Sequence, residues 1–209
     1  MEIRPEREDE RGAVETLTRE AFWDLYVPGA SEHYILHVLR QSRAFVPELN
    51  CVAVKDGRVV GHIAYTRSAV RDASGTEREV VTFGPLSVLP ALHGRGIGSE
   101  LILHTQKLAA GMGFRATVIY GYPGYYGRFG FVCGKQYGIC AGDGRFLKAL
   151  LAREHYAGAL RGVSGSFHED AGFNVDPAAV ETFEARFPFR EKTVTETQKK
   201  FALLANAVA

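Results

Sequence analysis

Pro85-Leu86-Ser87-Val88-Leu89-Pro90-Ala91-Leu92-His93-Gly94-Arg95-Gly96-Ile97-Gly98-Ser99-Glu100-Leu101 reads as a strand, a tight glycine-rich turn and the first turn of a helix. Glycines permit a sharp bend and a close approach of backbone N–H groups to a ligand. The helix that follows starts with unpaired N–H groups and a partial positive charge. Together these features make a seat for phosphate groups. Two familiar phosphate loops do not fit. The dinucleotide pattern G-x-G-x-x-G finds Gly94 and Gly96 but meets Ser99 at its third place, and the nucleoside-triphosphate pattern G-x-x-x-x-G-K-[ST] is absent. A plain strand–helix connection is the other reading of this turn.

Upstream of the turn, Met1 to Pro5 reads as a first strand and Glu8 to Ala21 as a helix with Val14 and Leu17 on its apolar face. A patch of Phe22, Trp23 and Tyr26 ends at Pro28-Gly29, and Ser31 stands where it would cap a second helix reaching Ser42. The aromatics serve either as core or as one wall of a pocket. Asn50 to Val54 and Val59 to Ser68 read as strands joined by Asp56-Gly57, a hairpin signal. Glu79 to Phe83 is a strand that Gly84-Pro85 interrupts. Proline cannot donate to a ladder, so the strand must bulge or splay there. That leaves main-chain groups of Leu86, Ser87 and Val88 free for an extended partner.

Downstream, a helix from Gly96 to Met112 is expected to bury Ile97, Leu101, Leu108 and Met112. Ala116 to Tyr120 then forms a strand parallel to the one before the helix. Phe146 to Leu151 is a candidate last strand of the sheet. Val163 to Phe167 reads as a strand, Pro177 to Phe187 as a helix capped by Asp176, and Thr195 to Val208 as a final helix.

The bulk numbers narrow the function classes. The 209 residues carry a net charge of +1, with 46% hydrophobic and 23% charged residues. That balance gives no field to attract nucleic acid or an acidic membrane. No apolar run is long enough to span a bilayer, and the acidic start is no signal peptide. Cys51, Cys133 and Cys140 are scattered and odd in number, as expected of reduced thiols in a cytoplasmic protein. No metal site is assigned.

A second motif supports the first. Tyr125-Tyr126-Gly127-Arg128-Phe129-Gly130-Phe131 contains Y-x-x-x-G-F, and His93-Gly94-Arg95-Gly96-Ile97-Gly98 fits [QR]-x-x-G-x-[GA] in its glycines, with His93 at the usual Gln or Arg. In this order the two runs resemble the GNAT superfamily of N-acetyltransferases, and the full Tyr125 to Phe131 run with Gly84-Pro85-Leu86-Ser87-Val88 upstream resembles the YhbS-like bacterial subgroup. The resemblance spans roughly residues 1 to 135.

It implies an α+β fold: a central mixed, mostly antiparallel sheet flanked by helices, with a parallel, splayed pair at the acyl-CoA site. It divides the chain into an acetyltransferase domain over 1–155 and an extension over 156–209. It implies acetyl-CoA as acyl donor, with the pantetheine arm along Leu86, Ser87 and Val88. The pyrophosphate would lie on His93, Gly94, Arg95, Gly96, Ile97, Gly98 and Ser99; Arg95 either adds charge there or is an ordinary surface residue. Tyr122 and Tyr125 would flank the pocket, and Tyr126 would be the acid for the departing thiolate. The acceptor would be a small-molecule amine or a protein amine. Glu79 and His62 are the groups nearest to a general base, and neither is assigned. A non-catalytic acyl-CoA sensor of the same fold is the alternative. Monomer and homodimer are both open.

Overall fold

A computed structural model describes residues 1–209. The strands are β1 (Glu2–Pro5), β2 (Cys51–Lys55), β3 (Arg58–Arg71), β4 (Glu77–Val88), β5 (Ala116–Tyr120), β6 (Val132–Cys133), β7 (Ile139–Cys140), β8 (Leu150–Glu154) and β9 (Gly165–His168). The helices are α1 (Arg11–Phe22), α2 (Glu32–Leu39), α3 (Ile97–Gly111), α4 (Pro123–Tyr126), α5 (Pro177–Glu184) and α6 (Glu196–Ala205). One sheet runs β1-β2-β3-β4-β5-β8-β6, with β9 beside β3 and β7. Along the main path only β4 and β5 are parallel; β9 is antiparallel to β3 and parallel to β7.

Alternation along the strands sorts the helices to opposite faces. Cys51, Ala53, Ile63 and Tyr65 join the core beneath α3, whereas Val52 and Ala64 pack with Val14 of α1 and Leu36 of α2. The β2–β3 hairpin turns on Asp56 and Gly57, with φ of 50° and 74°. Two positive φ values are what a two-residue hairpin of right-handed twist needs.

The strand at Gly84-Pro85 does not stop. β4 continues to Val88, and the interruption is taken up as a bulge: Ile63 faces Leu86, whereas Tyr65 already faces Phe83. The Gly84–Pro85 peptide bond is cis. β4 and β5 pair at a single position, Val81 opposite Thr117. Beyond it the two strands diverge, leaving a gap beside Leu86 to Val88.

Three local expectations change. Leu108 and Met112 are exposed rather than buried. The inner face of α3 is instead Leu101, Ile102, Thr105, Gln106 and Ala109. Thr105 Oγ1 lies 2.9 Å from Tyr65 Oη, and Gln106 Nε2 donates to Tyr65 Oη and to Thr117 Oγ1. These bonds draw two polar residues inward and turn Leu108 out. Strand β8 begins at Leu150, not Phe146, because Phe146 to Lys148 pair with the chain end: Ala209 N donates to Phe146 O and Lys148 N to Ala207 O. Ser31 precedes α2 but does not cap it with its side chain.

Residues beyond 156 are tied to the rest at several points. β9 extends the β3 edge. Arg19 Nε donates to Glu184 at 2.9 Å. Thr195 Oγ1 and Gln198 Nε2 of the α6 start both donate to Asp24 O. With its far end fixed on Phe146 to Lys148, α6 forms a strap from the α1 end to the approach of β8.

Candidate active site

The glycine-rich turn forms as its residues dictate. Gly94 and Gly96 have φ of 75° and 83°, and Gly96 is the residue from which α3 departs. A residue with a Cβ is strained in that conformation. No N–H from Gly94 to Ser99 has a main-chain partner. The loop therefore presents a row of donors at the positive end of a fifteen-residue helix.

The end of β4 meets this loop. Leu89 N donates to Val60 O at 3.0 Å, and Val88 stands opposite Gly61. Bonded and non-bonded pairs alternate in an antiparallel ladder, so the Val88 N–H and C=O point away from β3 into the gap. His93 Nε2 donates to the Val88 carbonyl at 2.9 Å. His93 thus braces the strand against the loop through its side chain.

Opposite lies α4. Tyr126 packs among Phe83, Tyr125 and Phe131, with centroids 5.7, 5.0 and 5.8 Å away. The Tyr125 hydroxyl reaches across to Gly98, 3.1 Å from where a Cβ would be. The Arg128 guanidinium lies 4.5 Å above the Tyr125 ring. Burial pushes the Tyr126 phenol well above the ordinary tyrosine range, and the Tyr26 hydroxyl adds to this. The group therefore keeps its proton at any ordinary pH.

These elements enclose a cavity of about 1000 Å³. Leu86, Val88, His93, Gly94, Gly96, Ile97, Gly98, Ser99, Tyr122, Tyr125 and Tyr126 all line it. Ser87 and Arg95 do not. Ser87 is on the other face of β4, where its hydroxyl donates to Thr18 Oγ1 at 3.0 Å. Arg95 is exposed outside the cavity. Of the aromatic patch, Phe22 and Tyr26 line the cavity, but Trp23 turns away: its indole N–H donates to Glu191 O, and Arg19 lies 4.3 Å over its ring.

The sequence reading missed the opposite wall: Tyr120, Leu147, Ala149 and the α6 residues Thr197, Lys200, Phe201 and Leu204. No Asp or Glu side chain lines the cavity. Glu79 is paired with Arg67 on the surface. His62 is fully buried, 2.6 Å from Asn50 Oδ1, and burial holds it neutral. Neither reaches the site. Burial raises the Cys51 thiol to about 11, so it is not a ready nucleophile. No group of three His, Cys, Asp or Glu side chains is gathered to hold a metal ion, and no helix is long and apolar enough to cross a membrane.

A mixed sheet whose parallel pair splays beside a glycine-rich helix start, closed by a tyrosine-bearing turn, defines an acyl-CoA-dependent acyltransferase fold. Residues 16–131 match the Acetyltransferase (GNAT) family, and the chain belongs to it. It is 32% identical over 97 residues to the uncharacterized N-acetyltransferase YjhQ of Escherichia coli (strain K12), an alignment over 46% of this chain and 50% of that protein. The chain thus spans about half the length of that curated relative. It resembles the solved GNAT family N-acetyltransferase YhbS from Escherichia coli in complex with CoA, with a TM-score of 0.73 and 26% identity over 83% of this chain and 92% of that one. A GNAT family acetyltransferase from Brucella melitensis in complex with acetyl-CoA gives 0.67 and 30%, over 82% and 97%.

Proposed function

We propose that this chain transfers an acetyl group from acetyl-CoA to a primary amine by direct attack. Free N–H groups over Gly94 to Ser99 suit the pyrophosphate, and the gap beside Leu86 to Val88 suits the pantetheine arm. The outward Val88 N–H is a donor for the thioester carbonyl and for the oxyanion that develops from it. The amine nitrogen attacks the carbonyl carbon, the C–N bond forms and the C–S bond breaks. The departing thiolate takes its proton from the Tyr126 phenol, the amine proton passes to water, and the phenolate regains a proton from water.

No Asp or Glu side chain lines the cavity as a general base, although Glu32, whose pKa burial raises, acts electrostatically on Tyr26 of the wall. Apolar walls disfavour the charged form of a bound amine and lower its pKa, which supplies the neutral nucleophile without one. The residues from Tyr120, Tyr126 and α6 onward offer room for the acceptor beside the donor, so that much of the acceleration comes from holding the two together.

The observation that carries this reading is that Tyr126 lines the cavity that the glycine turn opens into, beside Leu86 and Val88. Tyr126→Phe tests it. Loss of a positioned acid costs about 10²- to 10⁴-fold in rate, and acetyl-CoA affinity should be kept. Equal turnover by the variant contradicts the role. The missing carboxylate also favours a second reading, a non-catalytic acyl-CoA sensor. That reading predicts acetyl-CoA binding without thiol release for any amine.

A further inference from the structure

Part of the cavity lining comes from outside the glycine turn, the end of β4 and α4. Phe22 and Tyr26 come from the end of α1 and the loop after it, Tyr120 from β5, and Phe201 and Leu204 from α6. The Tyr26 and Phe201 rings stack with centroids 4.1 Å apart, and Tyr120 is backed by Phe167 at 5.9 Å. This surface is mostly apolar and carries Lys200; Arg128 also lines the cavity. The nearby Lys192 and Lys199 are paired with Glu181 and Glu196. Lys200 is exposed, makes no ion pair and lines the cavity together with a second cation, Arg128.

Resting on the acetyltransferase reading above, we propose that the acceptor is a small amine with an aromatic or branched alkyl body and a carboxylate, the class that apolar α-amino acids represent. The body lies on the Tyr26–Phe201 stack and the carboxylate meets the Lys200 ammonium. A polyamine or a basic peptide fits badly: its extra ammonium groups would shed water in a cavity that offers them no counter-ion. The transfer balances as before: the α-nitrogen gains the acetyl group, its proton goes to water, and CoA leaves as the thiol.

Calorimetric titration of the CoA-loaded chain, with thiol release from acetyl-CoA, compares phenylalanine, phenethylamine, spermidine and a lysine peptide on wild type and Lys200→Ala. Lys200 has no partner to lose, so the variant should fold. Phenylalanine should bind and react, and phenethylamine, lacking only the carboxylate, should be about tenfold weaker. Lys200→Ala should erase that difference through the KM for phenylalanine and leave acetyl-CoA affinity unchanged. A preference for spermidine or the lysine peptide, an unchanged phenylalanine-to-phenethylamine ratio in Lys200→Ala, or acetyl-CoA binding with no probe bound overturns the acceptor proposal. Failure of wild type to bind acetyl-CoA overturns the underlying acetyltransferase reading instead.

Discussion

The Tyr126 ring rests directly on the backbone of Gly121: a Cβ at Gly121 would stand 2.4 Å from Tyr126 Cε2. The glycine at the end of β5 thereby sets where the phenol is held, between that strand and the rings of Phe83 and Phe131. Gly121→Ala must push the ring aside. Displacing a catalytic group by about an ångström costs on the order of 10²-fold. The variant should lose that much in thiol-release rate while binding acetyl-CoA within about threefold of wild type, since the phosphate seat is elsewhere. A full rate in Gly121→Ala would mean that the position of Tyr126 is irrelevant to turnover.

The pH–rate profile follows from the direction of the Tyr126 shift. Its folded pKa is raised, so the acid form persists above the usual tyrosine value of about 10. Rate should rise with pH as the bound amine loses its proton and then level off, with no alkaline fall below about pH 10. A descending limb between pH 8 and 9.5, absent in Tyr126→Phe, would contradict a phenol held neutral by burial.

Acid should weaken the fold through its buried histidines. Burial lowers His33 from 6.5 to about 4, and lowers His62 and His155 as well. A histidine with a depressed folded pKa contributes stability above its unfolded pKa and loses it as pH falls through the folded value. The melting temperature should therefore be flat above pH 7 and fall steadily from about pH 6.5 towards pH 4. His62→Gln, which keeps a neutral partner for Asn50, should flatten part of that fall. Parallel curves for variant and wild type would show that His62 is not a source of it.

The strap formed by α6 should matter to the acceptor alone. An acceptor ring packed on Phe201 forms an aromatic pair of the kind that contributes about 0.5–1.5 kcal/mol beyond area burial. Phe201→Ala should raise the acceptor KM by about three- to tenfold, with kcat and acetyl-CoA affinity changed by less than twofold. Steady-state kinetics varying each substrate in turn separates these effects. A raised KM for acetyl-CoA instead would move α6 to the donor side.

The elements that were legible in the sequence are those whose determinants are contiguous. The Asp56-Gly57 hairpin, the glycine turn, the Y-x-x-x-G-F turn and the Asp176 cap of α5, which accepts from Ala178 N, are each written in a few adjacent residues. Ser87 shows a rule left unapplied: strand alternation that turns Leu86 and Val88 to the cavity turns Ser87 from it. Leu108 and Met112 were misjudged because the inward pull on Thr105 and Gln106 comes from Tyr65, forty residues away in the chain and visible only in the fold. The α6 wall was illegible for the same reason. Its place is fixed by Asp24 at one end and by Phe146 to Lys148 at the other, and the helix's own sequence carries no sign of either.

The most direct test of the central claim, that the glycine turn and the splayed strands form an acyl-CoA site, is a thermal melt with acetyl-CoA beside ATP and NAD. A ligand at ~100 times its dissociation constant stabilises by roughly 2.7 kcal/mol, and in a chain of this size that raises the midpoint by about 5–10 °C. The account predicts a shift of that size with acetyl-CoA and none with ATP or NAD. A shift with ATP or NAD and none with acetyl-CoA would contradict it.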